Sequence, residues 1–435
     1  MTLAADAARL EGSGAGDTAG PGNRALRIGL LTLLNPWGGT TVHWGGTEVH
    51  TLRFARTLAE RGHAVTIVCL TPETYEAYRP RVDERVTLAS IPRPRGGPLS
   101  FARWLRALPR WDVCILAKGV FDVGDADLDL AARTRCRTYL TVEHLPGAPN
   151  EPKESRRHFG VVPGLGLWWY RERLRRFSRS LGPQKIVCVS DAVGRRLVGD
   201  YGFPARKVLT VRNGIDVERF RPDAAMAAEW RRRWGIPPDA LIVGAVGRLA
   251  LMKGYDIALA AFQTLLRRAP GRDVRFVLVG QGSHEHRLRE IAQVIVPGGR
   301  ITFSPFHDRP WEPLGALDVF VMPSRNEGLP LALLEAMACE CCSVTSDVGG
   351  IPEVLSRPEL GWVVPAEDVD AFTAALIEAA DRTPEQRAAM GMLARQHVVR
   401  NFNAAVQFNA LVDVVESLAR PPVGREPRAV EPSRQ

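Results

Sequence analysis

The segment Pro323-Ser-Arg-Asn-Glu327-Gly-Leu-Pro330-Leu-Ala-Leu-Leu-Glu335-Ala-Met-Ala338 carries two carboxylates on either side of a loop-to-helix transition. An apolar run ending at Met322 reads as a strand, and a polar loop follows it. Pro330 falls where a first helical turn would begin, because its fixed φ suits that position and its missing N–H costs nothing there. The N–H groups of Gly328 and Leu329 then point out of a helix N-terminus, where the dipole favours an anion. Glu327 on the loop and Glu335 in the second turn could both face a ligand over the C-terminal edge of a parallel sheet. Taken alone, two such carboxylates are more readily a solvated loop residue and a surface helix charge. Gly247-Arg248-Leu-Ala-Leu-Met-Lys253-Gly254 follows another apolar run and puts two cations in one loop. Arg can hold a diphosphate bidentately, and Lys acts as a point charge. Gly45-Gly46-Thr47-Glu48 and Ser346-Asp-Val-Gly349-Gly350-Ile-Pro352-Glu353 are further glycine turns after strands, each weak by itself.

Those residues need a scaffold that brings distant loops to one edge. Apolar runs at 26–34, 64–70, 113–116, 138–142 and 185–189 are long enough for buried strands. Residues 47–61 have helical spacing at Val49, Leu52, Phe54 and Leu58, with Gly62 as the stop. A second series begins near 240, with strands at 241–246, 274–279, 300–303, 319–322 and 343–345 and helices at 255–268 and 330–338. Alternating βα units imply an α/β fold of parallel sheets covered by helices on both faces. Two doubly wound halves fit the 435 residues at about 150 to 200 residues per domain. The expected divisions are a disordered tail at 1–24, an N-terminal Rossmann-like domain at 25–215 and a C-terminal one at 216–395, hinged within 211–238. A helix at 396–418, with the stripe Phe408, Leu411, Val412, Val415 and Leu418, returns to the N-terminal domain, and 419–435 is a second disordered tail.

Hydrophobic residues at 45% and charged residues at 24% suit a soluble globular chain and exclude a wholly disordered or fibrous one. No run approaches the ~18 apolar residues of a spanning helix, and the small, polar start lacks the apolar core of a signal peptide. Seven cysteines, with Cys69, Cys114 and Cys188 inside apolar runs, suit reduced thiols in a cytoplasm. The formal charge of +9 would welcome nucleic acid, a membrane surface or an anionic small molecule. No nucleic-acid module accompanies it, so nucleic acid is set aside.

In combination these segments resemble family 4 of the retaining GT-B glycosyltransferases, the "group 1" family, over most of both halves. Ser324 to Pro330 with Glu335 to Ala338 is similar to the family's element of two Glu separated by seven residues. Arg248 and Lys253 match its phosphate-binding pair. Gly45-Gly46-Thr47-Glu48 with Leu58-Ala-Glu-Arg-Gly62-His63 resembles its first βα unit. Val189-Ser190 and Val211-Arg-Asn213-Gly214-Ile-Asp216 resemble the segments leading into its hinge.

The resemblance implies two Rossmann-like domains facing across a cleft, the N-terminal one for the acceptor and the C-terminal one for a nucleotide-sugar. It implies a hexosyltransferase-type reaction: sugar passes from a nucleotide-diphosphate-sugar donor to a hydroxyl of a small-molecule or lipid-linked acceptor, with retention, no cofactor and no divalent metal. Glu335 would bind the ribose hydroxyls and Glu327 the donor sugar, with the Gly328 and Leu329 N–H groups close to sugar and phosphate. Arg248 and Lys253 would hold the diphosphate most strongly as charge develops on it. Gly46 would let its backbone approach the phosphates. His144, in Val142-Glu143-His144 at a strand end, would face the cleft near the reacting carbon, with Glu143 the weaker candidate. The step the resemblance implies is front-face attack, with the acceptor proton passing to the departing phosphate.

One stretch departs from the family pattern. A Gly and then a Pro usually follow Ala-Met-Ala, whereas this chain has Cys339-Glu340-Cys341-Cys342-Ser343. Thiols are soft metal ligands, but no second Cys/His group is spaced to complete a tetrahedral site. The change reads as loop variation that alters how the helix leaves. Asp125-Ala-Asp127-Leu-Asp129 spells a metal-dependent transferase motif, yet it opens a helical stretch where capping explains it better. Neither the first loop nor Gly280-Gln-Gly282 completes a dinucleotide fingerprint. His284, His286 and His307 lie in polar segments and read as solvated. The alternatives kept are an epimerase or hydrolase of the same architecture and a non-catalytic nucleotide-sugar-binding protein. The presence of Glu327, Arg248 and Lys253 disfavours the latter.

Residues 153–179 hold eight Lys/Arg against Glu154 and Glu172, with Trp168, Trp169 and Tyr170 among them. Cations beside aromatics suit peripheral contact at the inner face of a membrane. A helix turning its Trp residues inward accounts for the same pattern, so a lipid-linked and a soluble acceptor stay level.

Overall fold

The computed structural model describes residues 24–32, 46–92, 98–120, 126–145, 183–296 and 298–419. The stretch 153–179, the Gly38-Gly39 loop, Gly45, Asp125 and the tails at 1–23 and 420–435 lie outside the described residues.

Seven parallel strands make the first sheet: β1 (Arg27–Thr32), β2 (Ala64–Cys69), β3 (Thr87–Ser90), β4 (Trp111–Val120), β5 (Cys136–Leu145), β6 (Lys185–Cys188) and β7 (Val208–Thr210). Their spatial order is β3-β2-β1-β4-β5-β6-β7. Six parallel strands make the second: β8 (Leu241–Val246), β9 (Val274–Val279), β10 (Ile301–Ser304), β11 (Val319–Met322), β12 (Cys342–Ser346) and β13 (Trp362–Val364), in the order β10-β9-β8-β11-β12-β13. Helices cover both faces, which is why β8, β11 and β12 are buried at every residue. The chain is thus an α/β protein of two Rossmann-like, doubly wound domains.

Strand order reverses between β1 and β4 in one sheet and between β8 and β11 in the other. Loops on either side of such a reversal leave in opposite directions and open a crevice at the C-terminal strand ends. The loops after β8 and β11 carry Arg248 with Lys253 and Glu327 with Gly328, so topology alone places both at one crevice.

The chain crosses between domains at two points that pair with each other. Ile215 N–H donates to Phe402 O at 2.8 Å, and Ala404 N–H donates to Ile215 O at 2.9 Å. Gly214 permits that contact, since a Cβ there would sit 2.6 Å from Ala404 Cα. The return crossing is therefore at 402–404 rather than at the expected 396. The Pro384–Asn401 helix stays with the C-terminal domain, burying Ala394 and Val398. The Ala404–Ala419 helix lies on the N-terminal domain, where Phe408, Leu411, Val412 and Val415 join the core of β1, β2, β4 and β5. Arg61 pairs with its Asp413 at 2.7 Å and Glu416 at 3.2 Å. A single apolar cluster runs from Val189 and Val193 of the first domain to Leu329, Leu333 and Ile351 of the second. No helix among the described residues is long and apolar enough to cross a membrane.

Candidate active site

The loops after β8 and β11 are laced together by Arg325. Its guanidinium reaches Asp256 at 2.8 Å, Glu367 at 2.7 Å and the Leu251 carbonyl at 2.7 Å, and its N–H donates to Met252 O at 2.8 Å. Gly254 has φ 65°, and a Cβ there would lie 1.9 Å from Pro323 O, so only glycine lets the loops close up. That closeness brings Lys253 Nζ within 2.6 Å of Glu327 Oε1, which also accepts from Ser324 Oγ at 2.8 Å. The Glu327 side chain is 7% exposed and that of Lys253 25%, so the pair is largely shielded from water. No hydrogen bond from the described residues reaches Glu327 Oε2. Tyr255 lies close by, and burial together with the Glu327 charge pushes its hydroxyl above the ordinary tyrosine range. Arg248 is exposed and its guanidinium makes no ion pair or hydrogen bond among the described residues, which leaves it available.

Pro330 proves to be the residue before the helix rather than part of its first turn, with φ −73° and ψ 118°, and the helix runs Leu331–Ala338. The Gly328 and Leu329 N–H groups donate to nothing among the described residues. Their carbonyls are taken: Gly328 O by Gly350 N–H at 2.7 Å and Ser190 Oγ at 3.1 Å, Leu329 O by Asn213 Nδ2 at 2.9 Å. Gly328 also meets the opposite domain, since a Cβ there would lie 1.6 Å from His144 O.

His144 falls within β5, which runs on to Leu145, and is buried. Burial pulls its imidazole down to about 4, and its Nε2 has no hydrogen-bond partner among the described residues. His50 packs edge-on against it, with ring centroids 4.7 Å apart and planes at 80°. The ring of Phe408 of the returning helix is centred 4.9 Å from that of His50. Burial first, then His144 and Arg53, hold His50 neutral. Glu143 is fully buried beside Cys188, whose thiol its charge helps push up.

The Gly46–Glu60 helix faces the Leu331–Ala338 helix across the crevice. A Cβ on Gly46 would sit 3.3 Å from Leu331 Cδ1. Two turns further on, Arg53 attracts Glu335 and Asp216 and feels Arg219. Glu335 is enclosed by protein, though part of its surface still meets solvent. Burial pushes its carboxyl up to about 7, and Arg53 opposes the rise.

The structure thus brings Glu327, Lys253, Gly328, Leu329 and His144 together and sets Glu335 and Gly46 on facing helices. His50 and Arg53 were not singled out from the sequence, and Ser190 and Asn213 were named within the segments leading into the hinge without a role at the site. His50 and Arg53 recur with Gly46 at four- and three-residue steps, the spacing of one helix face, and that signal was available. The segments of Ser190 and Asn213 were marked by resemblance, but nothing local shows that their side chains reach the Gly328 and Leu329 carbonyls.

The cysteine segment is explained by backbone geometry. Cys341 N–H donates to Ala336 O at 3.0 Å and Glu340 N–H to Met337 O at 3.1 Å, the two bonds of a Schellman cap. Glu340 occupies its left-handed position with φ 65°, where glycine is the usual choice. The Cys339, Cys341 and Cys342 thiols point to three different carbonyls, those of Trp311, Leu314 and Arg387. Burial pushes Cys339 up to about 12 and Cys342 up to about 11. No cluster of three metal-ligating side chains occurs among the described residues.

Two Rossmann-like domains meeting at their strand ends define the GT-B architecture. The solved structure of Anabaena Alr3699/HepE in complex with UDP-glucose has this fold, with a TM-score of 0.71 at 16% identity, covering 90% of this chain and 100% of that one. Residues 44–219 match the family described as Glycosyltransferase Family 4, and residues 226–397 that described as Glycosyl transferases group 1. The chain is 30% identical over 275 residues to a GDP-mannose-dependent monoacylated alpha-(1-6)-phosphatidylinositol monomannoside mannosyltransferase of Corynebacterium glutamicum, covering 60% of this chain and 68% of that protein. It is 32% identical over 261 residues to a D-inositol 3-phosphate glycosyltransferase of Saccharomonospora viridis, covering 54% of this chain but only 58% of that protein. The chain belongs to the group 1, or family 4, glycosyltransferases.

Proposed function

We propose that this chain is a configuration-retaining glycosyltransferase that moves a sugar from a nucleotide-diphosphate-sugar to a hydroxyl of a small-molecule or lipid-linked acceptor. The observation that carries the reading is the shielded Lys253–Glu327 pair beside the outward N–H groups of Gly328 and Leu329. Lys253, Arg248 and these N–H groups would hold the diphosphate, and their attraction grows as the C1–O bond breaks and its electron pair passes to phosphate. Glu327 Oε2 would receive a hydroxyl of the donor sugar, and Glu335 the ribose hydroxyls. The acceptor oxygen bonds to C1 on the same face, and its proton passes to the departing phosphate oxygen. His144, neutral and unpartnered at Nε2, would hydrogen-bond the sugar without carrying charge. Side-chain cations fill the electrostatic role, so the reading calls for neither a cofactor nor a divalent metal.

The named relatives act on an inositol phosphate and a phosphatidylinositol mannoside, and the structural neighbour holds UDP-glucose. These favour a polyol or a lipid-linked acceptor. Seven free cysteines fit a reducing cytoplasm, and residues 153–179 would supply any contact with its membrane face. The test is to screen nucleotide-sugars for thermal stabilisation, then to assay transfer by wild type and Glu327→Gln. Transfer should fall by roughly a hundredfold or more in the variant, with an unchanged circular dichroism spectrum. Near wild-type turnover in the variant, or release of free or epimerised sugar without acceptor, overturns the reading.

A further inference from the structure

We propose that Ser190 is a positioning residue of the donor site: reaching over from the N-terminal domain, it grips the Gly328 carbonyl and so aims the Leu329 N–H at the diphosphate. The inference rests on the nucleotide-sugar reading above. A trans peptide is planar, so its C=O and N–H point in opposite directions. Gly328 O is held by Gly350 N–H at 2.7 Å and Ser190 Oγ at 3.1 Å, which turns the Leu329 N–H the other way. The preceding peptide is oriented alike. Glu327 O lies against Gly349, where φ is 56° and a Cβ would be 1.9 Å away, so the Gly328 N–H also faces outward. The Gly349-Gly350 turn is therefore a backing plate for two anion-binding donors.

Ser190 is fully buried, so bulk water does not compete for its bond. Its hydroxyl has one proton, given to Gly328 O, and its lone pair accepts Val193 N–H at 3.2 Å as the cap of the Asp191–Gly199 helix. The hydroxyl's proton and one of its two lone pairs are thereby committed. Its surroundings clamp the same junction. Glu353 of the second domain accepts from Asp191 N–H at 3.1 Å and Ala192 N–H at 2.8 Å, and Arg212 bridges Glu353 and Asp191. Asn213 holds the next carbonyl, that of Leu329. Both side-chain grips come from the N-terminal domain or its crossing, while the carbonyls they hold belong to the other, and the one held by Ser190 is on the peptide with an N–H to aim. Parting the domains leaves only the Gly350 bond, so diphosphate affinity and domain closure favour each other.

The test uses the full chain with Ser190→Ala and Ser190→Gly. Alanine removes the grip and the helix cap, whereas glycine removes the grip and keeps most of the cap's stability. Affinities are measured calorimetrically for UDP and GDP and for their nucleosides, uridine and guanosine. Both variants should bind the diphosphate roughly three- to tenfold more weakly, and the matching nucleoside within about twofold of wild type. Equal losses for diphosphate and nucleoside, or no loss for either, overturn the role of Ser190 while leaving the nucleotide reading intact. Wild type that binds no nucleoside diphosphate, with ADP, CDP and dTDP tried beside UDP and GDP, overturns both.

Discussion

Glu335 offers the sharpest test of the donor site, because its environment moves it into a range where few other groups titrate. Burial raises its carboxyl to about 7, Arg53 opposes the rise, and Cys339 is the other titratable group that feels it. His144, at about 4, and His50, well below its ordinary value, do not change charge in that window. Only the ionised carboxylate can accept from both ribose hydroxyls. Donor affinity is then lost as pH falls through about 7. With that midpoint, the ionised fraction is about 9% at pH 6 and about 91% at pH 8, so the dissociation constant should drop about tenfold across the interval. The assay is calorimetric titration with the nucleotide-sugar that most stabilises the protein. Its phosphates stay ionised throughout, so they add no limb of their own. Glu335→Gln should bind weakly with a flat profile, and Arg53→Met should move the limb to higher pH. Stability carries the same signature with the opposite sign. Between about 4.5 and 7 the folded chain holds a proton at Glu335 that the unfolded chain has released, so this group's contribution declines as pH rises. A wild-type profile without a limb near 7, or a limb that persists in Glu335→Gln, would refute the assignment.

Two further outcomes follow from backbone geometry. Glu340→Gly should stabilise the protein by about 0.5 to 1 kcal/mol, because it relieves a left-handed residue at a cost in unfolded-chain entropy. Glu340→Ala, which keeps the strain, should bring no such gain, and chemical denaturation of the pair measures the difference. Gly328→Ala would drive a methyl into His144 O across the domain junction. Overpacking of about 1 to 3 kcal/mol should then appear as at least fivefold lower kcat/KM and a larger radius of gyration by small-angle scattering, with unchanged secondary structure.

Much of the scaffold was legible because a buried parallel strand is a local hydrophobic run. β8, β9 and β11 occupy the spans their apolar residues mark, 241–246, 274–279 and 319–322. The edge strands β3, β7 and β13 are three or four residues long and only partly buried, too short for such a run to stand out, and were missed. The loops carrying Glu327, Lys253 and Arg248 were equally visible, since each follows one of those runs and has a composition unsuited to a core.

Pairing was not legible, because it depends on which loops the strand order makes neighbours. Lys253 meets Glu327 only because β8 and β11 lie side by side and Gly254 lets their loops touch. Arg53 faces Glu335, and Ser190 reaches Gly328, across a junction between two separately folded sheets. His144 is steadied by His50 and, behind it, by Phe408, which arrives only after the chain has crossed to the second domain and back. The sequence by itself determined which chemical groups are available and at which strand ends they sit, since both follow from local hydrophobicity and turn chemistry. Which groups touch, which way the peptides point and which carboxylate is driven toward neutrality were decided by tertiary structure, because burial and long-range packing set them.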